Sequence, residues 1–227
     1  FGLTAGILSG DVMLVYVYDF LHRHYPERLN EALAVFSEMA IAVCEGQQRD
    51  MDFEERNNVK EEEYLTMIGQ KTAALLKCCL QLGAIVADAT EAEVATIGDF
   101  GYKTGMAFQI QDDLLDSFGD PEKFGKKVGG DILQDKKTIL LIHALDKADE
   151  TQRLEIKRVL ANADLPEAEK VNAMKALYEA TGAKSYAEGL RDDFHSRALE
   201  DLNSLKLPDD RKQFIGQFAE WLLYRNV

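Results

Sequence analysis

The stretch at residues 105–120 constrains the fold most, because it predicts a long helix that ends on a concentration of acid. Its sequence is GMAFQIQDDLLDSFGD, and Asp112, Asp113 and Asp116 are spaced i, i+1 and i+4. On a helix Asp112 and Asp116 lie one above the other, with Asp113 close beside them. The Gly-Asp-Pro sequence at 119–121 ends the helix, so the acids lie at the negative end of its dipole.

A bound cation would relieve this repulsion. Carboxylate oxygens at this spacing suit Mg²⁺, which binds one or two carboxylates and completes its shell with water and substrate phosphate. The alternative is a solvated acidic helix end, because charge runs in acidic chains are often only surface. The three aspartates alone leave both interpretations open.

The charge balance excludes several classes of partner. The 227 residues contain 26 basic and 40 acidic side chains, which gives a net charge of −14. A nucleic-acid surface needs a basic patch, so we expect no nucleic-acid partner. The most apolar run, residues 3–20, is broken by Asp11 and Asp19, so we expect no membrane insertion. Three cysteines do not make a disulfide framework, and we expect a cytoplasmic protein.

Helical periodicity continues along the chain and predicts an all-α fold, with residues 1–227 as a single domain. The predicted helices are 3–24, 27–49, 60–88, 91–118, 136–148, 150–162, 167–181, 184–204 and 209–225, with a polar connector at 51–59 and a glycine-rich loop at 119–135. The helix over 3–24 carries apolar residues around its circumference, which predicts a homodimer.

A very short turn near residue 89 joins two of these helices. Thr90 and Glu93 form a capping box that begins the second helix, so residues 60–88 and 91–118 should pack antiparallel. At 1.5 Å per residue, this register brings Lys71 and Thr72 within about a turn and a half of Asp112. An ordinary salt bridge between helices is the alternative explanation for a lysine at this place.

The loop after the acidic helix carries a second charged cluster. Four lysines occur between residues 126 and 137, namely Lys126, Lys127, Lys136 and Lys137. Glycines in the same loop allow the backbone to approach a ligand closely. Mg²⁺ on the aspartates and lysines opposite would form a clamp for a diphosphate.

These motifs together resemble the trans-isoprenyl diphosphate synthases, also called the polyprenyl synthetase family. The matching segments are Gly46-Gln47-x-x-Asp50, Lys71-Thr72, Phe108-Gln109-x-x-Asp112-Asp113-x-x-Asp116 and Gly125-Lys126-Lys127-Val128-Gly129-Gly130-Asp131. The family also has a first aspartate-rich motif, followed by an arginine pair, that residues 1–227 do not contain. We expect that motif upstream of Phe1, so that this domain lacks its N-terminal helices.

The resemblance implies an antiparallel helical bundle of the isoprenoid synthase type around a central cavity. It also implies head-to-tail prenyl transfer, in which isopentenyl diphosphate attacks the carbocation of an allylic prenyl diphosphate that ionises with the help of Mg²⁺. The implied roles are metal binding by Asp112, Asp113 and Asp116, substrate binding by Lys71, Lys126, Lys127, Lys136, Gln47 and Asp50, and catalysis by Lys71, Thr72, Phe108 and Gln109.

Two other functions remain open at this point. A class I terpene cyclase shares the aspartate chemistry, although the lysine loop fits a synthase better. A non-catalytic helical subunit that modulates a synthase would explain why only one aspartate-rich motif is present.

Overall fold

The computed structural model describes residues 2–25, 27–120 and 128–224, and their regular structure is entirely helical. The elements are α1 Leu3–His24, α2 Leu29–Glu54, α3 Glu61–Ile68, a π-helical segment Gly69–Ala73, α4 Ala74–Val86, α5 Glu91–Phe118, α6 Gly130–Leu133, α7 Ile139–Lys147, α8 Glu150–Ala161, α9 Glu167–Ala180, α10 Ala183–Ser204 and α11 Asp209–Tyr224. The all-α prediction is confirmed.

Helix α5 organises the bundle, because it packs along its length against both α4 and α10. Half of its 28 residues are buried. The predicted capping box begins it: the Thr90 hydroxyl accepts a hydrogen bond from the Glu93 amide, and the Thr90 amide donates to the Glu93 carboxylate at 2.9 Å. The turn before it contains Asp88 in a left-handed conformation, with φ 55°. This short turn makes α4 and α5 antiparallel, as predicted.

Two helix boundaries differ from the sequence-based prediction. Helix α2 continues to Glu54 instead of ending near residue 49, because Phe53 is buried in the main core cluster and holds the last turn in place. The predicted helix over 60–88 is interrupted by the π-helical segment, in which the Ala74 amide donates to the Gly69 carbonyl in an i→i−5 hydrogen bond. Single π-helical turns of this kind are frequent at functional sites.

Close packing on two sides accounts for the position of the π-helical segment. A Cβ atom on Gly46 of α2 would lie 2.5 Å from the Lys71 backbone nitrogen. A Cβ atom on Gly105 of α5 would lie 2.6 Å from Ala73 Cα. Only glycine allows backbones to approach this closely, so α2 and α5 confine the segment between them.

Helix α1 is the least covered element of the described chain. Leu21 is its buried residue, and eight large apolar side chains are at least half exposed: Leu3, Ile7, Leu8, Val12, Met13, Val15, Tyr16 and Phe20. Its 22 residues and a mean hydropathy of 1.3 over 18 residues are enough to cross a membrane by length and composition alone. Asp11 and Asp19 therefore do not make α1 too polar by this measure. Length and composition alone do not place α1 in a membrane, and the expectation of no membrane insertion stays a prediction.

Candidate active site

The predicted site residues from four parts of the chain meet around one small cavity. Its volume is about 20 Å³, roughly the space for one water molecule. It is lined by Asp50, Tyr64, Met67, Ile68, Lys71, Thr72, Gln109, Asp113, Lys136, Lys137 and Thr138. The end of α2, the π-helical segment, α5 and the segment before α7 thus converge at one end of the bundle.

A chain of hydrogen bonds crosses this site from the π-helical segment to α3. The Thr72 hydroxyl donates to Gln109 Oε1 at 2.8 Å, which confirms the predicted register of the two antiparallel helices. Gln109 Nε2 donates to Asp113 Oδ1 at 3.2 Å, and the Tyr64 hydroxyl donates to Asp113 Oδ2 at 2.5 Å. Each side chain in the chain is therefore held in one orientation by the next.

Asp113 is the most buried of the three aspartates, with 2% of its surface exposed. Burial raises its pKa to about 7, and the nearby charge of Asp131 acts in the same direction. The hydrogen bonds from Tyr64 and Gln109 and the charge of Lys136 oppose that rise. Each carboxylate oxygen accepts one hydrogen bond and keeps a second lone pair, so Asp113 orients Gln109, and its implied role in metal binding stays a prediction.

Asp116 fastens the beginning of α6 to the end of α5. Its Oδ1 accepts a hydrogen bond from the Asp131 amide at 2.8 Å, and its carbonyl accepts one from the Gly129 amide at 2.6 Å. Gly129 has φ 92°, a left-handed conformation that favours glycine. Burial raises the pKa of Asp116, against the hydrogen bond from Asp131. Asp112 is half-buried one turn earlier on the same face of α5.

Two lysines line the cavity with a carboxylate beside each of them. Lys71 Nζ lies 2.5 Å from Asp50 Oδ2, and Lys136 Nζ lies 3.2 Å from Asp131 Oδ1. Both lysine side chains are 34% exposed, so their ammonium groups can be reached from solvent. Burial would lower the pKa of Lys136, but the charges of Asp131 and Asp113 outweigh it and the pKa is raised. Lys136 therefore provides positive charge at neutral pH.

Some predicted residues do not join this arrangement. Gln47 is exposed on α2 and is not part of the cavity lining, and Phe108 is half-buried on α5, also outside the lining. Lys126 and Lys127 lie outside the described residues.

Sequence reasoning missed two participants, Tyr64 and Asp131. Tyr64 precedes Lys71 by seven residues, which places both on one face of a helix, and this periodicity could have identified it. Asp131 ends the glycine-rich motif at residues 125–131, yet no sequence pattern indicates that it pairs with Lys136.

The carboxylates suit a magnesium ion whose remaining ligands come from water and substrate phosphate. Within the described part of the chain, no three His, Cys, Asp or Glu side chains converge on one point, so a complete cage made of protein ligands is not found there. Asp112 and Asp116 present oxygen atoms one turn apart at a half-buried helix end. Mg²⁺ is usually held by one or two carboxylates together with water and substrate phosphate, and this pair meets that requirement.

Comparison with known proteins supports the family resemblance found in the sequence. The polyprenyl synthetase family model matches residues 1–180. A short chain isoprenyl diphosphate synthase of Methanothermobacter thermautotrophicus is 38% identical over 226 residues, and the match covers 99% of this chain and 68% of that protein.

Solved structures agree with the sequence match. A crystal structure of a geranylgeranyl pyrophosphate synthase superimposes with a TM-score of 0.92 at 36% identity, over 99% of this chain and 70% of the other. The geranylgeranyl pyrophosphate synthase of Corynebacterium glutamicum, solved with isoprenyl diphosphate and magnesium, gives 0.86 at 29% identity, over 98% of this chain and 64% of the other. The chain thus spans about two thirds of the length of these relatives.

The family match covers more than three quarters of the chain, and it agrees with the helical architecture and with the quoted motifs. It confirms the expected isoprenoid synthase fold and the expected class of enzyme, a prenyltransferase. The chain belongs to the polyprenyl synthetase family.

Proposed function

We propose that this protein condenses isopentenyl diphosphate with an allylic prenyl diphosphate to form a longer prenyl diphosphate. The observation that carries the proposal is the convergence of Lys71, Lys136 and the Thr72–Gln109–Asp113 hydrogen bonds around one cavity. The relatives, which are named isoprenyl and geranylgeranyl diphosphate synthases, support the same reaction.

Asp112 and Asp116 would hold Mg²⁺, and Asp113 orients Gln109 beside them. The ion supplies Lewis acidity that neutralises the charge of a departing diphosphate. The raised pKa of Asp116 has burial as its main cause, and a cation would reverse that cost by favouring the charged carboxylate. The metal and the two carboxylates therefore stabilise each other.

Lys71 and Lys136 bind the allylic diphosphate. Each ammonium group is compensated by one carboxylate, Asp50 or Asp131, and remains about one-third exposed. A diphosphate carries more charge than a single carboxylate, so it attracts both ammonium groups towards the rim of the cavity. Lys126, Lys127 and Gln47 are proposed to add to this binding.

Thr72 and Gln109 face the carbon that becomes positively charged. The Thr72 hydroxyl hydrogen is donated to Gln109, which leaves the lone pairs of the Thr72 oxygen directed elsewhere. Fixed dipoles of this kind stabilise a developing cation without reorganisation during the reaction. Phe108 is proposed to contribute the face of its ring to the same cation.

The apolar tail of the allylic substrate has a path along α4. Leu75 and Cys79 follow Lys71 at i+4 and i+8, so they continue the face that begins at the clamp. Both are exposed, and Leu75 is 47% exposed. A diphosphate on Lys71 therefore places its prenyl chain beside an apolar surface.

We also propose a homodimer and a cytoplasmic location. The exposed apolar side chains of α1 exceed what an isolated surface helix needs, and a second copy of the chain would cover them. Sedimentation at micromolar concentration should give the mass of two chains. A monomer under these conditions would contradict the proposal.

The test of function is turnover. The protein is incubated with labelled isopentenyl diphosphate and geranyl diphosphate, with Mg²⁺ or with a chelator. We expect longer prenyl diphosphates only with Mg²⁺. A cyclic hydrocarbon made from the allylic substrate alone would favour the terpene cyclase, and binding of both substrates without product would favour the non-catalytic subunit.

A further inference from the structure

Tyr102 of α5 occupies the space that a side chain at residue 69 would fill. A Cβ atom on Gly69 would overlap the Tyr102 hydroxyl and would lie 3.1 Å from its ring carbon Cζ. Gly69 is buried, and burial also raises the pKa of Tyr102. The phenol therefore fits into a notch on the neighbouring helix, and the notch exists because residue 69 is glycine.

This notch lies at the beginning of the π-helical segment. Gly69 is its first residue and accepts the i→i−5 hydrogen bond from Ala74. The same five residues contain Lys71 and Thr72, two of the side chains that line the cavity. A contact at Gly69 consequently acts on the turn that carries both.

The π-helical segment has little room to move when a larger side chain replaces Gly69. Gly46 of α2 already lies against the Lys71 backbone, and Gly105 of α5 lies against Ala73. Tyr102 adds a third close contact to this segment, from the same helix α5 that carries Gly105. Such tightly packed regions respond to added volume by shifting as a unit.

We infer that Tyr102 is a positioning residue that, through Gly69, sets the placement of Lys71 and Thr72. Lys71 contacts Asp50 on α2, whereas Thr72 donates to Gln109 on α5. A shift of the π-helical segment relative to both α2 and α5 would therefore disturb the two contacts together. The importance of this placement for diphosphate binding rests on the function proposed above.

The experiment uses matched variants and two separate measurements. Calorimetry gives the Mg²⁺-dependent affinity for geranyl thiolodiphosphate, an unreactive allylic analogue. Crystal structures of the same variants give the Lys71–Asp50 and Thr72–Gln109 distances. The variants are Gly69→Ala, Tyr102→Phe and the double variant. Gly98→Ala is the control, because the three atoms nearest to its added Cβ all belong to the flexible Gln81 side chain in the same interface.

We expect Gly69→Ala to weaken binding by about tenfold or more and to lengthen both distances, because small misplacements of binding groups are costly. Tyr102→Phe should bind within about twofold of wild type. The double variant should recover to within about threefold, because it lacks the hydroxyl that the methyl group would overlap and the ring has to move only a few tenths of an ångström. Gly98→Ala should leave affinity and both distances unchanged.

Several outcomes would overturn the inference. Wild-type affinity and unchanged distances in Gly69→Ala would do so, and so would an equal loss of affinity in Gly98→Ala, which would indicate general packing. If wild type does not bind the analogue, the proposed function fails, while the two distances still decide the positioning role. If Gly69→Ala does not fold, Tyr102→Leu is used instead, because it removes the phenol from the notch at Gly69. Unchanged Lys71–Asp50 and Thr72–Gln109 distances in Tyr102→Leu would refute the inference.

Discussion

The two ends of α5 follow opposite electrostatic rules. At its beginning Thr90 and Glu93 cap the free amides, and Glu91 lies at the positive end of the helix dipole. At its other end Asp112, Asp113 and Asp116 lie at the negative end of the same dipole. The first end stabilises the helix locally, whereas the second opposes it, and this contrast indicates that the second end is kept for another purpose.

The unfavourable end is tolerated because other parts of the chain compensate it. Tyr64 and Gln109 donate to Asp113, and the Asp131 amide donates to Asp116. This compensation is incomplete, since burial still raises the pKa values of Asp113 and Asp116. A magnesium ion would offset the remaining cost of burial by favouring the charged carboxylates.

Replacing Asp112 with alanine should have the largest effect, which is the loss of diphosphate binding at the acidic end of α5. Removing one of the two carboxylates that hold Mg²⁺ leaves the ion with half of its protein ligands, and we expect Mg²⁺-dependent binding of geranyl thiolodiphosphate to be lost. The fold should be retained, because the change removes a negative charge from the negative end of a helix. Calorimetry and thermal unfolding measure the two properties.

Thr90→Ala provides the matched control at the opposite end of the same helix. It should lower thermal stability and leave diphosphate affinity unchanged. Unchanged binding in Asp112→Ala would show that the acidic end of α5 does not hold the metal.

The second prediction uses pH and concerns Asp113 in protein kept free of metal by a chelator. Its folded-state pKa, about 7, is above the ordinary value of 3.8. The folded state therefore binds the proton more tightly, so the contribution of Asp113 to stability is present below pH 3.8 and is lost as pH rises through about 7.

Asp113→Asn removes this titration. We expect its melting temperature to fall less than that of wild type between pH 4 and pH 7 in chelator, as measured by circular dichroism. Parallel melting curves for the two proteins over this interval would show that Asp113 keeps an ordinary pKa. Added Mg²⁺ should reduce the pH dependence of wild type more than that of the variant.

The sequence predicted those parts of the fold and site that depend on neighbouring residues. The capping box, the short turn and the antiparallel register follow from local patterns, and they place Lys71 and Thr72 within about a turn and a half of Asp112. The π-helical segment did not follow, because it depends on Gly46 and Gly105 meeting it from other helices.

The missed end of α2 and the missed role of Tyr64 have a similar cause. Phe53 extends α2 because it is buried by distant parts of the chain, and residues 51–59 read as a polar connector when taken alone. Tyr64 becomes a site residue only through Asp113, which is 49 residues away. Local rules therefore describe the capped beginning of α5 better than its acidic end.

The smallest expected effect concerns the favourable end alone. Replacing an N-cap threonine with alanine typically costs about 1 kcal/mol, and we expect Thr90→Ala to lower the free energy of unfolding by about that amount in urea denaturation. Hydrogen bonds from Thr90 lower the pKa of Glu93 below 4.5, so the capping contribution is present above that pH and is lost as pH falls through the folded-state value. The difference between wild type and Thr90→Ala should therefore shrink in acid, whereas the Asp113 contribution changes with the opposite sign. If the two differences changed in the same direction with pH, the electrostatic contrast between the ends of α5 would be refuted.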